Sequence, residues 1–167
     1  MIRSVTALLV VFILSSVAAA QSSPPGANTT PPSPDRMKAA VTHFEKAFYD
    51  LTPKQKHAEA NAEFDLAVTG FESVLADTPA SVEAHTYLAR IHNARKEFRQ
   101  AAAQWDKVAA IQPFDVDACV FAAGAYADAG EFAEARLRLS EARLRTRDPD
   151  VLVRLDGYAA KLDAVKR

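Results

Sequence analysis

A chain of 167 residues, 49% apolar and 25% charged, has the size and composition for one folded domain with a core. Its net charge of -1 excludes a global electrostatic pull toward nucleic acid or an anionic membrane surface. The single cysteine, Cys119, excludes an intramolecular disulfide and leaves the compartment open.

The chain begins with a short cationic start, Met1-Ile2-Arg3, followed by an uncharged apolar run from Val5 to Val17 that ends in Ala18-Ala19-Ala20. This is the layout of a secretory signal peptide, residues 1–20, with cleavage expected after Ala20. The stretch from Ser4 to Ala20 falls short of the ~20 apolar residues that span a bilayer comfortably. Export to the periplasm or the exterior is therefore the expectation, with an uncleaved membrane anchor as the alternative. No cysteine follows the run, which excludes bacterial lipid attachment there. Residues 21–34, with Pro24, Pro25, Pro31, Pro32 and Pro34 among Ser, Thr, Gly and Asn, read as an extended, solvated linker.

From Asp35 onward the only prolines are Pro53, Pro79, Pro113 and Pro149. Proline suits the first turn of a helix and breaks its interior, so these positions mark helix ends. Thr52-Pro53 and Asp148-Pro149 each read as an N-cap followed by proline at the first helical position. Between these marks a pattern returns every 34 residues: Phe64, Phe98 and Phe132; Ala67, Ala101 and Ala135; Phe71, Trp105 and Leu139; Val74, Val108 and Ala142. Steps of three, four and three residues place each such set on one helical face. Upstream helices repeat too, with Tyr87, Phe121 and Leu155 in one register and Ala89 with Ala123 in another. Seven helices are predicted, over 35–50, 53–76, 81–95, 97–111, 115–129, 131–146 and 149–165.

A 34-residue helix-turn-helix with an aromatic, a small Ala and another aromatic in its second helix, then Pro near its end, resembles the tetratricopeptide repeat. The unit Val82 to Asp115 carries Leu88-Ala89, Phe98, Ala101, Trp105 and Pro113 in the matching places. The unit Val116 to Pro149 matches through Ala122-Ala123, Tyr126, Gly130, Phe132 and Ala135, with His85 and Cys119 replacing the early aromatic of each first helix. The resemblance implies an all-α fold of about three such repeats stacked in a right-handed solenoid. Residues 35–81 form a divergent repeat, 82–115 and 116–149 two regular ones, and 150–167 a closing helix with a polar outer face.

Chemistry is scarce. The five glycines are too scattered to cradle a nucleotide. His85 and His92 lie about 10.5 Å apart along one helix, too far for one metal ion with ligands ~2.1 Å away, and both fall on packing positions. His43 and His57 have no evident ligand partner in sequence. Cys119 falls between two helices, where free cysteine behaves as a small hydrophobe. Arg136, Arg143 and Arg147 share one helical face and Arg138 and Arg145 another; the helix reads as solvated and partly paired with Glu134 and Glu141, although acidic lipid or an acidic partner could also meet it. No catalytic, cofactor-binding or metal site is expected, and the protein reads as a non-enzyme.

In the family that the chain resembles, first helices of successive repeats line a concave groove that holds a protein or peptide. Glu83, Thr86, Arg90 and Asn93 share the polar face of one first helix. Asp117, Val120, Gly124 and Ala127 form the smaller, more apolar equivalent of the next, and the closing helix offers Arg154 and Tyr158. Gly124 would let a peptide backbone come close. The expected occupant is an extended or helical segment whose carboxylate meets Arg90 and Arg154. Thr86 and Arg90 stand where some tetratricopeptide domains use Asn and Lys to clamp a chaperone's carboxyl terminus, so that pattern is not met. No nucleic-acid partner is expected, and membrane contact only if the amino-terminal segment stays uncleaved.

Overall fold

The computed structural model describes residues 34–165, all of it helices and the turns between them. The elements are α1 (Pro34–Glu45), running on into a π-helical segment (Lys46–Leu51), then α2 (His57–Asp77), α3 (Val82–Ala94), α4 (Phe98–Ile111), α5 (Val116–Asp128), α6 (Phe132–Leu144) and α7 (Pro149–Val165). The expected signal peptide and all but the last residue of the linker lie outside the described residues.

Three caps set the phase. The Ser81 hydroxyl accepts from the Ala84 N–H at 3.3 Å, Asp115 Oδ1 from Ala118 at 3.2 Å, and Asp148 Oδ1 from Asp150 at 2.9 Å. Each supplies an acceptor to an amide that the first turn leaves unpartnered, and so fixes where α3, α5 and α7 begin. Asp148-Pro149 is thus the cap-and-proline start that the sequence predicts.

At its other end each first helix reverses in the same way. Gln55, Lys96 and Gly130 hold left-handed backbones, with φ of 56°, 61° and 79°. The following amide returns to a first-helix carbonyl each time: Lys56 to Leu51 at 3.1 Å, Glu97 to His92 at 2.8 Å, and Glu131 to Tyr126 at 2.8 Å. This pattern satisfies the last carbonyls of the helix. Gly130 adopts it freely, whereas Gln55 and Lys96 carry a Cβ in a conformation that disfavours one.

The predicted start of the second helix at Pro53 is corrected by this geometry. The left-handed residue must stand just ahead of the second helix, and Gln55 takes that place. Pro53 therefore falls inside the turn, and α2 begins at His57. Thr52 does not cap α2; its hydroxyl donates back to the Ala47 carbonyl at 2.8 Å, as its amide does at 3.0 Å. Even so, α2 runs for 21 residues against 14 in α4 and 13 in α6, because two turns have been added at its amino-terminal end.

Consecutive helices pack on one another down the chain, the all-α stack of tetratricopeptide-like helix pairs that the repeat pattern implies. Ala67, Ala101 and Ala135, at one position of α2, α4 and α6, are each 0% exposed. Two core clusters meet at α3: Leu88 and Ile91 join Phe44, Phe64 and Phe71 on one side, while Ala89 joins Trp105, Cys119 and Leu139 on the other. Trp105 is buried as packing, and burial pushes the Cys119 thiol up, away from the nucleophilic thiolate. In α7, Leu155 and Leu162 face inward, and the outward side carries Arg154, Asp156, Lys161 and Asp163 together with Val153, which is 71% exposed.

Within the first pair, α1 and α2 cross where there is no space for a further carbon, and a Cβ at Gly70 would lie 2.7 Å from that of Ala40. Gly70→Ala is expected to destabilise the fold by about 1–3 kcal/mol through overpacking, measured by urea unfolding. Lys96→Gly should act oppositely, adding about 1 kcal/mol by relieving the left-handed backbone. Its melting temperature should rise by about 3 °C.

Candidate functional site

Where α5 and α7 diverge, a cavity of about 380 Å³ opens on the face lined by the first helices. Five of the predicted groove residues, Asn93, Val120, Gly124, Ala127 and Tyr158, line it together. A second hollow of about 230 Å³ adjoins it through the shared Val120, Phe121 and Tyr158, and brings in Arg154 and Asp117. The floor is shallow because of Gly124, where an added Cβ would meet nothing within 4 Å. Leu139 and Leu162 give the floor its apolar depth.

Charge around this groove is divided by helix. Asp117 and Asp128 stand on the α5 side, Arg154 and Lys161 on the α7 side. Among the described residues none of the four is held in an ion pair, and Lys161 lies 5.7 Å over the Tyr158 ring. The groove thus offers an apolar strip between an acidic and a basic edge.

Three of the predicted residues stand outside it. Glu83 is exposed and Thr86 half-buried on α3, away from the cavity walls. Arg90 turns toward the first helix pair. Its guanidinium lies 4.7 Å over the Phe44 ring, 5.5 Å over Phe48 and 5.8 Å over Tyr87, and it donates to the Tyr49 hydroxyl at 3.1 Å. The π-helical segment carries Phe48 and Tyr49 into this contact. A guanidinium stacked on electron-rich ring faces is held by cation–π attraction as well as by its hydrogen bond. The amino-terminal half of the face is therefore filled by an aromatic cluster, and the opening is confined to the carboxyl-terminal half.

Phe121 is the groove residue that sequence reasoning missed. Its register with Tyr87 and Leu155 assigned it to packing, yet it is 52% exposed, its ring lying 4.7 Å from that of Trp105. The signal was available in its neighbours, since the small Gly124 and Ala127 on the same face leave nothing to cover it.

The remaining candidates are accounted for by internal partners. His85 is buried between Gln104, 2.8 Å from Nδ1, and the Pro79 carbonyl, 3.0 Å from Nε2. His43 pairs with Glu63 and His92 with Glu97. The arginine faces are corrected in part: Arg138 pairs with Glu141 at 3.0 Å as expected, but Arg136 and Arg143 pair with Asp163 and Asp156 of α7, and Glu134 takes no part in these pairs. A separate, more polar cleft of about 520 Å³ lies between the added turns of α2 and the α3–α4 turn. Its Arg95 is tied to Asp65 at 2.6 Å and to the Asn61 carbonyl at 2.9 Å, and its Glu97 to His92, so most of its charge is spent internally. Among the described residues no group of His, Cys, Asp or Glu is arranged to hold a metal ion.

No family model matches the chain, and no curated protein matches it. Among solved structures it is similar to the N-terminal domain of stress-induced protein-1 from C. elegans, with a TM-score of 0.52 and 16% sequence identity over 78% of this chain and 99% of that one. That likeness is one of fold, and it agrees with the tetratricopeptide pattern of the sequence.

Arg90 and Arg154 should respond differently to truncation. Arg90→Ala is expected to lower stability by about 1–2 kcal/mol, because it removes a partly desolvated cation from three rings. Arg154→Ala, exposed and unpaired, should stay within about 0.5 kcal/mol of wild type in the same urea titration.

Proposed function

We propose that the protein is a non-enzymatic interaction module, exported as an adaptor or assembly scaffold, that holds a segment of a partner protein in the groove between α5 and α7. The observation that carries this reading is the open apolar strip around Phe121, Gly124 and Tyr158, flanked by four charges that have no ion-pair partner among the described residues. An apolar floor supplies affinity by burial, and unpaired rim charges select orientation and partner. An amphipathic helix or extended segment suits such a strip, its carboxylates meeting Arg154 and Lys161 and its basic groups meeting Asp117 and Asp128. Export rests on the amino-terminal sequence: the cationic start, the apolar run and the Ala18-Ala19-Ala20 ending. Should that segment be retained, the same module would be a membrane-anchored structural protein. Mass spectrometry of the mature amino terminus distinguishes the two, with Gln21 expected as the first residue.

The groove is tested by affinity capture from the native envelope fraction. Gly124→Gln projects a side chain over the floor, its first added carbon meeting nothing within 4 Å, and Arg154→Ala/Lys161→Ala strips the basic edge. Each is expected to weaken capture about tenfold or more while leaving the circular-dichroism melt intact. A partner retained at full strength by both variants would remove the site from this groove.

A further inference from the structure

The two walls of the groove are anchored very differently. Of its 17 residues α7 buries only Leu155 and Leu162, whereas α5, with 13, buries Ala118, Cys119, Ala122, Ala123 and Ala125. Open space lies on both sides of α7. Toward α5 are the two hollows of the groove, about 230 Å³ beside Val151, Arg154 and Leu155 and about 380 Å³ beside Tyr158, Lys161 and Leu162. Toward α6 lies a third, of about 200 Å³, lined by Leu139 and Ser140 of α6 and by Leu155 and Ala159 of α7. Where such space stands between helices, the side chains around it forgo dispersion contacts that a close-packed seam would supply.

The two ends of α7 are also held by different means. At the start, Asp148 Oδ1 accepts from the Asp150 and Val151 amides at 2.9 and 3.4 Å, and Val151 packs against the core. Toward the other end, besides Leu162, the hold is ionic. Arg136 of α6 donates to Asp163 from Nε at 3.0 Å and from Nη2 at 2.8 Å, and Nη2 also reaches the Leu162 carbonyl at 3.4 Å. Arg143 pairs with Asp156 nearer the middle. The side chains of Asp163 and Asp156 are 65% and 62% exposed, so water and salt screen both pairs. The tie one step earlier in the stack, Arg138 to Asp106, is half-buried and reinforced by the Tyr126 hydroxyl.

We propose that α7 is a hinged wall of the groove: its carboxyl-terminal half detaches from α6 while α1 to α6 stay folded, pivoting on the capped end at Asp148. Tyr158, Lys161 and Leu162 travel with it, so detachment widens the groove for an incoming segment. An occupant that covers Tyr158 and Leu162 then holds the helix down. Elements that move around ligands are drawn from the least stable parts of a fold, and the coupling between occupant and helix is reciprocal. The link to a partner rests on the groove reading above; the hinge itself does not.

The test is hydrogen–deuterium exchange followed by mass spectrometry, on protein recovered from expression of the full chain and with no partner added. At low salt the amides of α7 from Leu155 onward are expected to exchange at least about tenfold faster than those of α4 and α5, while α6 stays as slow as α4. Raising sodium chloride from about 0.02 M to about 1 M should speed α7 about fivefold further and leave α4 unchanged, because screening then acts within ~3 Å. Arg136→Ala/Arg143→Ala should make α7 fast at both salt concentrations and remove the salt response. Exchange in α7 less than about tenfold faster than in α5 overturns the proposal. So does an α6 that exchanges as fast as α7, which is fraying of the whole last pair, or a salt response that persists in the double variant. Because no partner is present, a hinge that fails here leaves the groove standing, and a groove that fails by capture leaves the hinge.

Discussion

The architecture depends on close approach between helices at positions that admit almost no side chain. Ala67, Ala101 and Ala135 are buried completely, and Ala89 and Ala123 nearly so. In the first pair the demand is sharper, for Gly70 faces Ala40 with no space for another carbon between them. Only when the backbones are this close can the larger residues on either side, Phe64 with Phe71 or Phe98 with Trp105, close over the contact. Dispersion and burial then act on a dense interior, where a single methylene is felt. The spacing of these small residues is the physical meaning of the 34-residue period.

Polar ties between successive pairs use arginine as a long reach. Arg138 forks onto Asp106 at 2.6 and 2.9 Å, a residue 32 places earlier, and Tyr126 donates to the same carboxylate at 2.8 Å. Asp106, through hydrogen bonding first, pushes the Arg138 pKa further up, and burial first, then Asp106, raises that of Tyr126. Arg145 donates to the Ala109 carbonyl at 3.0 Å, satisfying the end of α4 from the end of α6. Arg99 reaches Glu131 across the same interval. A planar, permanently charged fork suits such half-buried bridges, whose charges stay paired. These bonds tie α4 to α5 and α6 at several points along their length.

The two halves of the first-helix face are built differently. The π-helical turn and the lengthened α2 bring extra aromatic bulk to the amino-terminal half, and Arg90 locks it. Small residues on α5 leave the other half open. The groove is made as much by what is absent, a side chain at Gly124, as by what is present.

By itself the sequence determined the helix order, the cap at Asp148, the buried alanine and aromatic series, and five of the residues that line the cavity beside α5. These are local or periodic properties, written in residue type at fixed spacing, and a helix reads them out wherever it forms. The start of α2 escaped, because Thr52-Pro53 suits both an N-cap and the interior of a turn. Only the left-handed residue that a neighbouring helix requires at Gln55 separates the two. Tertiary structure alone decided where the long side chains went. Arg90 turned to the aromatic rings of the first pair, Arg136 and Arg143 to the acids of α7, and Phe121 outward into an uncovered groove. A flexible or amphipathic side chain takes its direction from the partners within its reach, and those partners are fixed by how helices far apart in the chain come to lie side by side.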